Sequence, residues 1–171
     1  MMQAAVLNTT GNDAIVDWIL VELRDKTSNT TVVLQQAALL QRDGDIVALD
    51  GTPFAIQNLA ADDYYIAVHH RNHLPVMTLN TVSLSSSTST VDFTTIATYG
   101  IDAQKDIGGL NALWSGDADA SGAVNAGDRS IAWNTRNQSG YRAADFNLDG
   151  NVNAADRSYA WNHRNKSAQL P

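Results

Sequence analysis

Apolar positions change their period once along this chain. Up to about residue 95 they alternate with polar ones or form short β-branched blocks. Beyond residue 115 they recur at helical spacing behind glycine-centred acidic loops. "AIVDWILVELRD" (14–25) is dense in β-branched and aromatic residues and sets Ile19, Val21 and Leu23 on one face of a predicted strand. "TTVVLQQAALLQRDGDIVALDG" predicts a strand and a hairpin turning at Arg42-Asp43-Gly44-Asp45, where Asp-Gly reaches positive φ at little cost. "PFAIQNL" reads as a short extended piece. "DYYIAVHHRNH" alternates Tyr65, Ala67 and His69 against Tyr64, Ile66, Val68 and His70. "PVMTLNTVSL" and "STVDFTT" complete the set.

The serine/threonine run 85–90 is placed as a turn between two strands, because alternation resumes at Val91 and Phe93. About seven short strands at this spacing predict a β-sandwich over residues 1–95. Residues 96–115 read as a connector, broken at Gly108-Gly109 and docked by Leu110, Leu113 and Trp114. Residues 116–171 form a second, small α module, so the expected fold class is a mainly β N-terminal sandwich followed by that module.

The module rests on a duplication. Aligning 117–139 with 145–167 gives fourteen identities in twenty-three positions. Counted from the first aspartate, positions 1, 3, 5 and 12 are Asp117, Asp119, Ser121 and Asp128 in one copy. In the other they are Asp145, Asn147, Asp149 and Asp156. Position 6 is glycine (Gly122, Gly150), position 7 is Ala123 or Asn151, position 8 is valine (Val124, Val152), and position 9 is Asn125 or Asn153. Calcium takes six to eight oxygens in a loose shell, so a tight loop with alternate side chains turned inward suits it. Glycine makes the sharp bend, position 7 offers a backbone carbonyl, and the last acid comes from the following helix. The candidate ligands are therefore Asp117, Asp119, Ser121, Ala123, Asn125 and Asp128, then Asp145, Asn147, Asp149, Asn151, Asn153 and Asp156, for two calcium ions per chain. Val124 is expected to pack near Val152. Neither loop holds histidine or cysteine, which argues against zinc.

Each loop runs into a predicted helix, "AGDRSIAWNTRN" and "AADRSYAWNHRN", with an acid at its start and an arginine near its end to suit the helix dipole. No helix is predicted before either loop, so the unit is half an EF-hand written twice. Trp133 and Trp161 have two readings, as packing between helices or as a partner surface with Arg129, Arg136, Arg157 and Arg164. Trp18 and Trp114 are expected in the core or at a domain interface.

Three resemblances follow from these residues. "NLAADDYYIAV" resembles the leucine–turn–tyrosine phrase of transthyretin-like and carboxypeptidase-regulatory-like sandwiches, where the tyrosine anchors a corner. The pair of loops resembles a dockerin: its "D-x-N-x-D-G-x-V-N-x-x-D" pattern is met by Asp145, Asn147, Asp149, Gly150, Val152, Asn153 and Asp156. The helices differ from the leucine/lysine–arginine helix with which dockerins bind cohesin. The whole chain also resembles C-terminal regions of large secreted bacterial surface proteins.

Charge and composition narrow the function. Of the formal −7, residues 1–100 carry ten acids and four bases, and residues 101–171 carry eight acids and seven bases. The acids of the second half are spaced as ligands, not gathered in a tail. No basic stripe runs along the sequence, which argues against nucleic acid. There is no cysteine, hence neither disulfide nor thiolate chemistry. No apolar run reaches a membrane span, and "MMQAAVLNTTG" has neither the basic nor the apolar region of a signal peptide. His69, His70 and His73 read as a polar strand end in preference to a metal site, and no catalytic motif occurs, so no enzyme is expected. The sequence predicts a non-catalytic, extracellular, calcium-stabilised module that attaches to a protein partner, whether a receptor module, a neighbouring domain or itself. The alternatives are a self-assembling subunit of a fibre or matrix and a polysaccharide-binding accessory module.

Overall fold

The computed structural model describes residues 4–87 and 89–171. The sequence readings at residues 1–3, and at Thr88 in the 85–90 turn, lie outside the described residues. The chain opens with two 3-10 turns, Ala4–Asn8 and Gly11–Asp13, and then enters an antiparallel sheet. Its strands are β1 (Ile15–Asp25), β2 (Val32–Gln41), β3 (Ile46–Val47), β4 (Asp62–His70) and β5 (His73–Met77), in the order β3-β2-β1-β4-β5. A short β6 (Val82–Leu84) pairs with β4 as well. The register sets Val21 between Gln36 and Val68, and Leu23 between Leu34 and Ile66. Ile19, Val21 and Leu23 therefore share a face with Tyr64, Ile66, Val68 and Val76, and all seven are buried. Period-two alternation put them there, and each buried side chain contributes about 1.5–3 kcal/mol of transfer free energy.

The architecture is mainly antiparallel β with few helices. What covers the sheet differs from the expected run of strands. Phe54, Ile56, Leu59, Val91 and Phe93 pack on the core as predicted apolar positions, but they lie outside any strand, Phe93 in a turn. In "STVDFTT" the Asp92 carboxylate accepts hydrogen bonds from the Thr94 N–H at 2.9 Å and the Thr94 hydroxyl at 2.7 Å. That side-chain turn competes with a ladder and wins. In "PFAIQNL", Pro53 makes a single bridge to Val47 and has no N–H with which to extend it. The tyrosine corner takes the form of the Tyr64 hydroxyl donating to the Ala60 carbonyl at 3.0 Å. "HHRNH" holds the expected strand end and continues as a hairpin: β4 stops at His70, Arg71 and Asn72 turn, and β5 starts at His73.

The predicted connector holds a two-stranded ribbon, β7 (Gln104–Asp106) with β8 (Asn111–Leu113). Its exit runs beside β5, where the Leu74 N–H donates to Trp114 O at 2.7 Å and His73 bridges Ser115. Trp114 packs edge-on against His163 at 5.0 Å, an interface position as expected. Trp18 is 38% exposed and so is not a core residue.

Two nine-residue helices follow, α1 (Ala126–Asn134) and α2 (Ala154–Asn162). Each starts with a capping box. Asn125 or Asn153 accepts from a first-turn N–H, and Asp128 or Asp156 reaches back to the N-cap N–H. Ala118, Ala132, Ala144, Phe146, Val152 and Ala160 form a second buried cluster, with Ile131 against it. The small alanines let the helices approach closely. Val124 and Val152, expected to pack near each other, are both buried, and their main chains pair crosswise. Val124 exchanges backbone hydrogen bonds with Asn165 and Lys166, behind α2, and Val152 does so with Asn137 and Gln138, behind α1. Each repeat thus closes on the tail of the other, because the residues after both helices turn back through left-handed Asn137 and Asn165, with φ of 64° and 69°.

Candidate calcium loops and the arginine–tryptophan face

The two acidic loops have the same backbone. Gly122 and Gly150 sit at φ +79° and +84°, the bend that position 6 requires. Ala120 and Leu148, at position 4, are held at +54° and +59°, where a side chain is strained. The side chains repeat as well. Asp117 accepts from the Ser121 N–H at 2.9 Å and the Gly122 N–H at 3.0 Å. Asp145 accepts from the Asp149 N–H at 3.1 Å and the Gly150 N–H at 2.9 Å. Asp128 accepts from Ala118 N–H and Asn125 N–H, both at 2.7 Å. Asp156 accepts from Phe146 N–H and Asn153 N–H, both at 2.8 Å. The first and last acids of each loop are buried.

In the first loop one oxygen each of Asp117, Asp119 and Asp128 lies within 4.8 Å of the others. In the second loop Asn147 replaces the middle acid, and its amide donates to Asp149 at 3.0 Å. Burial, with the neighbouring carboxylates adding to it, pushes Asp117 and Asp145 above the usual carboxylate range. The Ser121 hydrogen bond holds Asp119 below that range, and the Asn147 amide does the same for Asp149. Among the described residues no lysine, arginine or histidine forms an ion pair with any of these loop acids. Three converging carboxylates, two of them buried and none neutralised by a side chain, form an oxygen-only donor set that fits a hard divalent cation. Asn125 and Asn153 have a task beyond the one predicted. Their side-chain carbonyls cap the helices, accepting from Gly127 and Ala155 N–H at 2.7 Å. Ser121 Oγ lies 3.3 Å from the Ala123 carbonyl, which also accepts from Asn125. Ala123 and Asn151 bridge Ser167 and Ser139.

The tryptophans face out. Trp133 is 54% and Trp161 56% exposed, so they do not pack the helices together. Each is flanked by two guanidinium groups. Arg136 lies 4.6 Å and Arg157 5.1 Å from the Trp133 ring centroid, and Arg164 4.7 Å and Arg129 5.5 Å from that of Trp161. Arg136 and Arg164 lie beyond the helix ends, yet each donates to its tryptophan's carbonyl, at 2.8 and 2.7 Å. Folding therefore gathers a cationic face that no stripe in the linear sequence announces.

The loops are tied to the sheet by residues that sequence reasoning did not single out. Asp17, buried in β1, accepts from Arg71 Nε at 2.7 Å, from the Trp18 N–H at 2.8 Å and from the Tyr141 hydroxyl at 3.0 Å, with His70 Nε2 3.3 Å away. Burial opposes ionisation of Asp17, but the His70 ring beside it and the hydrogen bonds from the Trp18 N–H and Arg71 outweigh it and hold the carboxyl well below its ordinary value. The Arg71 guanidinium also covers the Tyr141 ring at 4.2 Å. Asn72, fully buried, touches the start of both loops. Nothing in its own stretch of sequence marked it.

No family model and no curated protein matches this chain. Two of the solved structures that align with it are complexes of one type. One is a C-terminal interface mutant of a type II Cohesin–X–Dockerin complex from Acetivibrio cellulolyticus. There the alignment covers 98% of this chain and 90% of that one, at 18% identity and a TM-score of 0.49. The other is an N-terminal interface mutant of the same type of complex, with the same coverage, 17% identity and a TM-score of 0.45. At these values the likeness carries no functional assignment.

Proposed function

We propose that the chain is a non-catalytic extracellular module in which calcium completes a dockerin-like pair of loop–helix repeats and the arginine–tryptophan face attaches it to a protein partner. The observation that carries the calcium reading is the convergence of Asp117, Asp119 and Asp128 with no basic side chain to neutralise them. Asp145, Asn147, Asp149 and Asp156 would hold a second ion in the same way, with the Ala123 and Asn151 carbonyls as further ligands. The ion would supply positive charge to the acids that frame each helix start. Loops of this kind suit the millimolar calcium outside cells. The attachment reading is supported by two exposed indoles between arginines, a composition enriched at binding hot spots.

A second reading, self-assembly through the sheet, has one observation in its favour. Among the described residues no strand pairs with the outer edge of β2 before Leu39, and Val32 and Val33 are exposed in a stretch without charge.

The test is calorimetric titration of the chelator-stripped full chain with calcium, with light scattering at both ends. Two ions per chain at unchanged mass support a calcium-stabilised docking module. A calcium-driven rise in mass favours self-assembly, and no uptake at millimolar calcium removes the calcium reading.

A further inference from the structure

Asn72 lies in the β4–β5 turn, far from the acidic repeats in sequence, yet it meets both of them at the same place. Its backbone carbonyl accepts from the N–H of Gly116 at 3.0 Å and of Asp117 at 3.1 Å. Its side-chain amide donates to the carbonyl of Ala143 at 2.9 Å and of Asp145 at 2.7 Å. Asp117 and Asp145 are position 1 of the two loops. One residue of the sheet thus fixes the entry of both, by its main chain in one case and its side chain in the other. The side-chain carbonyl is taken as well, lying 2.8 Å from His73 Nδ1. With both amide hydrogens committed to loop carbonyls, that oxygen must accept, so His73 Nδ1 carries the proton and fixes the orientation of the amide. Asn72 is fully buried, so these bonds have no water to replace them.

We infer that Asn72 is the positioning residue for both candidate calcium loops, and that its side chain serves the second loop alone. The inference rests on the calcium reading above. Position 1 is the acid whose two oxygens organise positions 5 and 6 in each loop, so its backbone placement sets the cradle. Groups that orient ligands without touching the ion typically change metal affinity by about 10–100-fold when removed. Replacing the Asn72 side chain leaves its carbonyl in place, so the effect divides unequally between the loops. A residue of purely structural importance would weaken both sites together, or neither.

The experiment isolates each loop. In an Asp117→Asn background only the second loop binds, and in an Asp145→Asn background only the first. Asn72→Ala is added to each, and calcium affinity is read by calorimetry on the full chain. The expected result is a loss of about tenfold or more at the second loop and less than about threefold at the first. Equal losses, or none, overturn the inference while leaving the calcium reading standing. Should unsubstituted protein take up no calcium, the calcium reading itself fails. If Asn72→Ala does not fold, Asn72→Ser keeps one donor, and the same inequality between loops is expected.

Discussion

The Arg157 guanidinium of α2 lies 5.1 Å from the ring centroid of Trp133 on α1, and Arg129 of α1 reciprocates over Trp161 of α2. Each helix supplies the cation for the other's indole, so the exposed face forms only when both helices are docked. Exposed contacts of this kind are worth about 0.5–1 kcal/mol each. Trp133→Ala should therefore lower the chemical-denaturation free energy by no more than about 1–2 kcal/mol, a modest loss for so large a side chain. It should leave calcium stoichiometry at the unsubstituted value. A loss above about 3 kcal/mol, the range for core tryptophan, would show that Trp133 is a packing residue.

Removing the ion should be felt mainly in the repeats. Chelation is expected to lower helical circular dichroism and to expose the Val124 and Val152 amides to hydrogen exchange, while the amides of β1 keep their protection. A ligand at about 100 times its dissociation constant stabilises by about 2.7 kcal/mol, so calcium should raise the unfolding midpoint visibly. Asp128→Asn should abolish one ion of the two. Retention of both by that variant would remove Asp128 from the ligand set.

Acid should release calcium early. Burial raises Asp117 and Asp145, so both take up protons at a higher pH than ordinary carboxylates. Calcium affinity is expected to start falling above the usual carboxylate range as pH drops, measured by titration at a series of pH values. An affinity flat down to that range would contradict it.

The His70–His73 turn should add its own pH dependence in the absence of calcium. Burial, then the nearby His70 and Arg71, lower His73 from 6.5 to about 3. The unfolded chain therefore binds the proton more readily than the folded one between these values. His73's contribution to stability is complete above about pH 6.5 and is lost as pH falls toward about 3. Denaturation midpoints in chelator at pH 7, 6, 5 and 4 should fall less steeply for His73→Gln than for the unsubstituted protein.

Gly116 should resist substitution. Its φ is +123°, and an added Cβ would stand 2.9 Å from Val124 Cγ1 and 3.4 Å from the Ala160 main chain. Gly116→Ala combines backbone strain with a clash at the entry to loop one, and a loss of about 1–3 kcal/mol is expected.

The repeats were legible because their rules are local. Glycine at position 6, an asparagine–aspartate capping box and acids at fixed spacing need no knowledge of distant chain. The core strands were legible for a related reason, since alternation alone placed Ile19, Val21 and Leu23. What escaped was what tertiary contact decides. Val91 and Phe93 do pack on the core, but the Asp92 side chain diverts their backbone from a strand. Asn125 read as a ligand at position 9, and its helix-capping bond to Gly127 was not foreseen. Trp133 and Trp161 read as packing residues before surface ones, and their exposure reverses that order. Asn72 carried no signal in its own neighbourhood, because its partners lie at residues 116–117 and 143–145.

The crossed closure of the repeats sets an order of events during synthesis. The Gly122 carbonyl waits for the N–H of Ala168, and Val124 waits for Asn165 and Lys166, whereas Val152 meets partners already made at Asn137 and Gln138. On a chain emerging from the ribosome the second loop can close as soon as its own residues appear. The first loop, though translated earlier, stays open until the segment behind the second helix has emerged, so the earlier-born site is the later to mature.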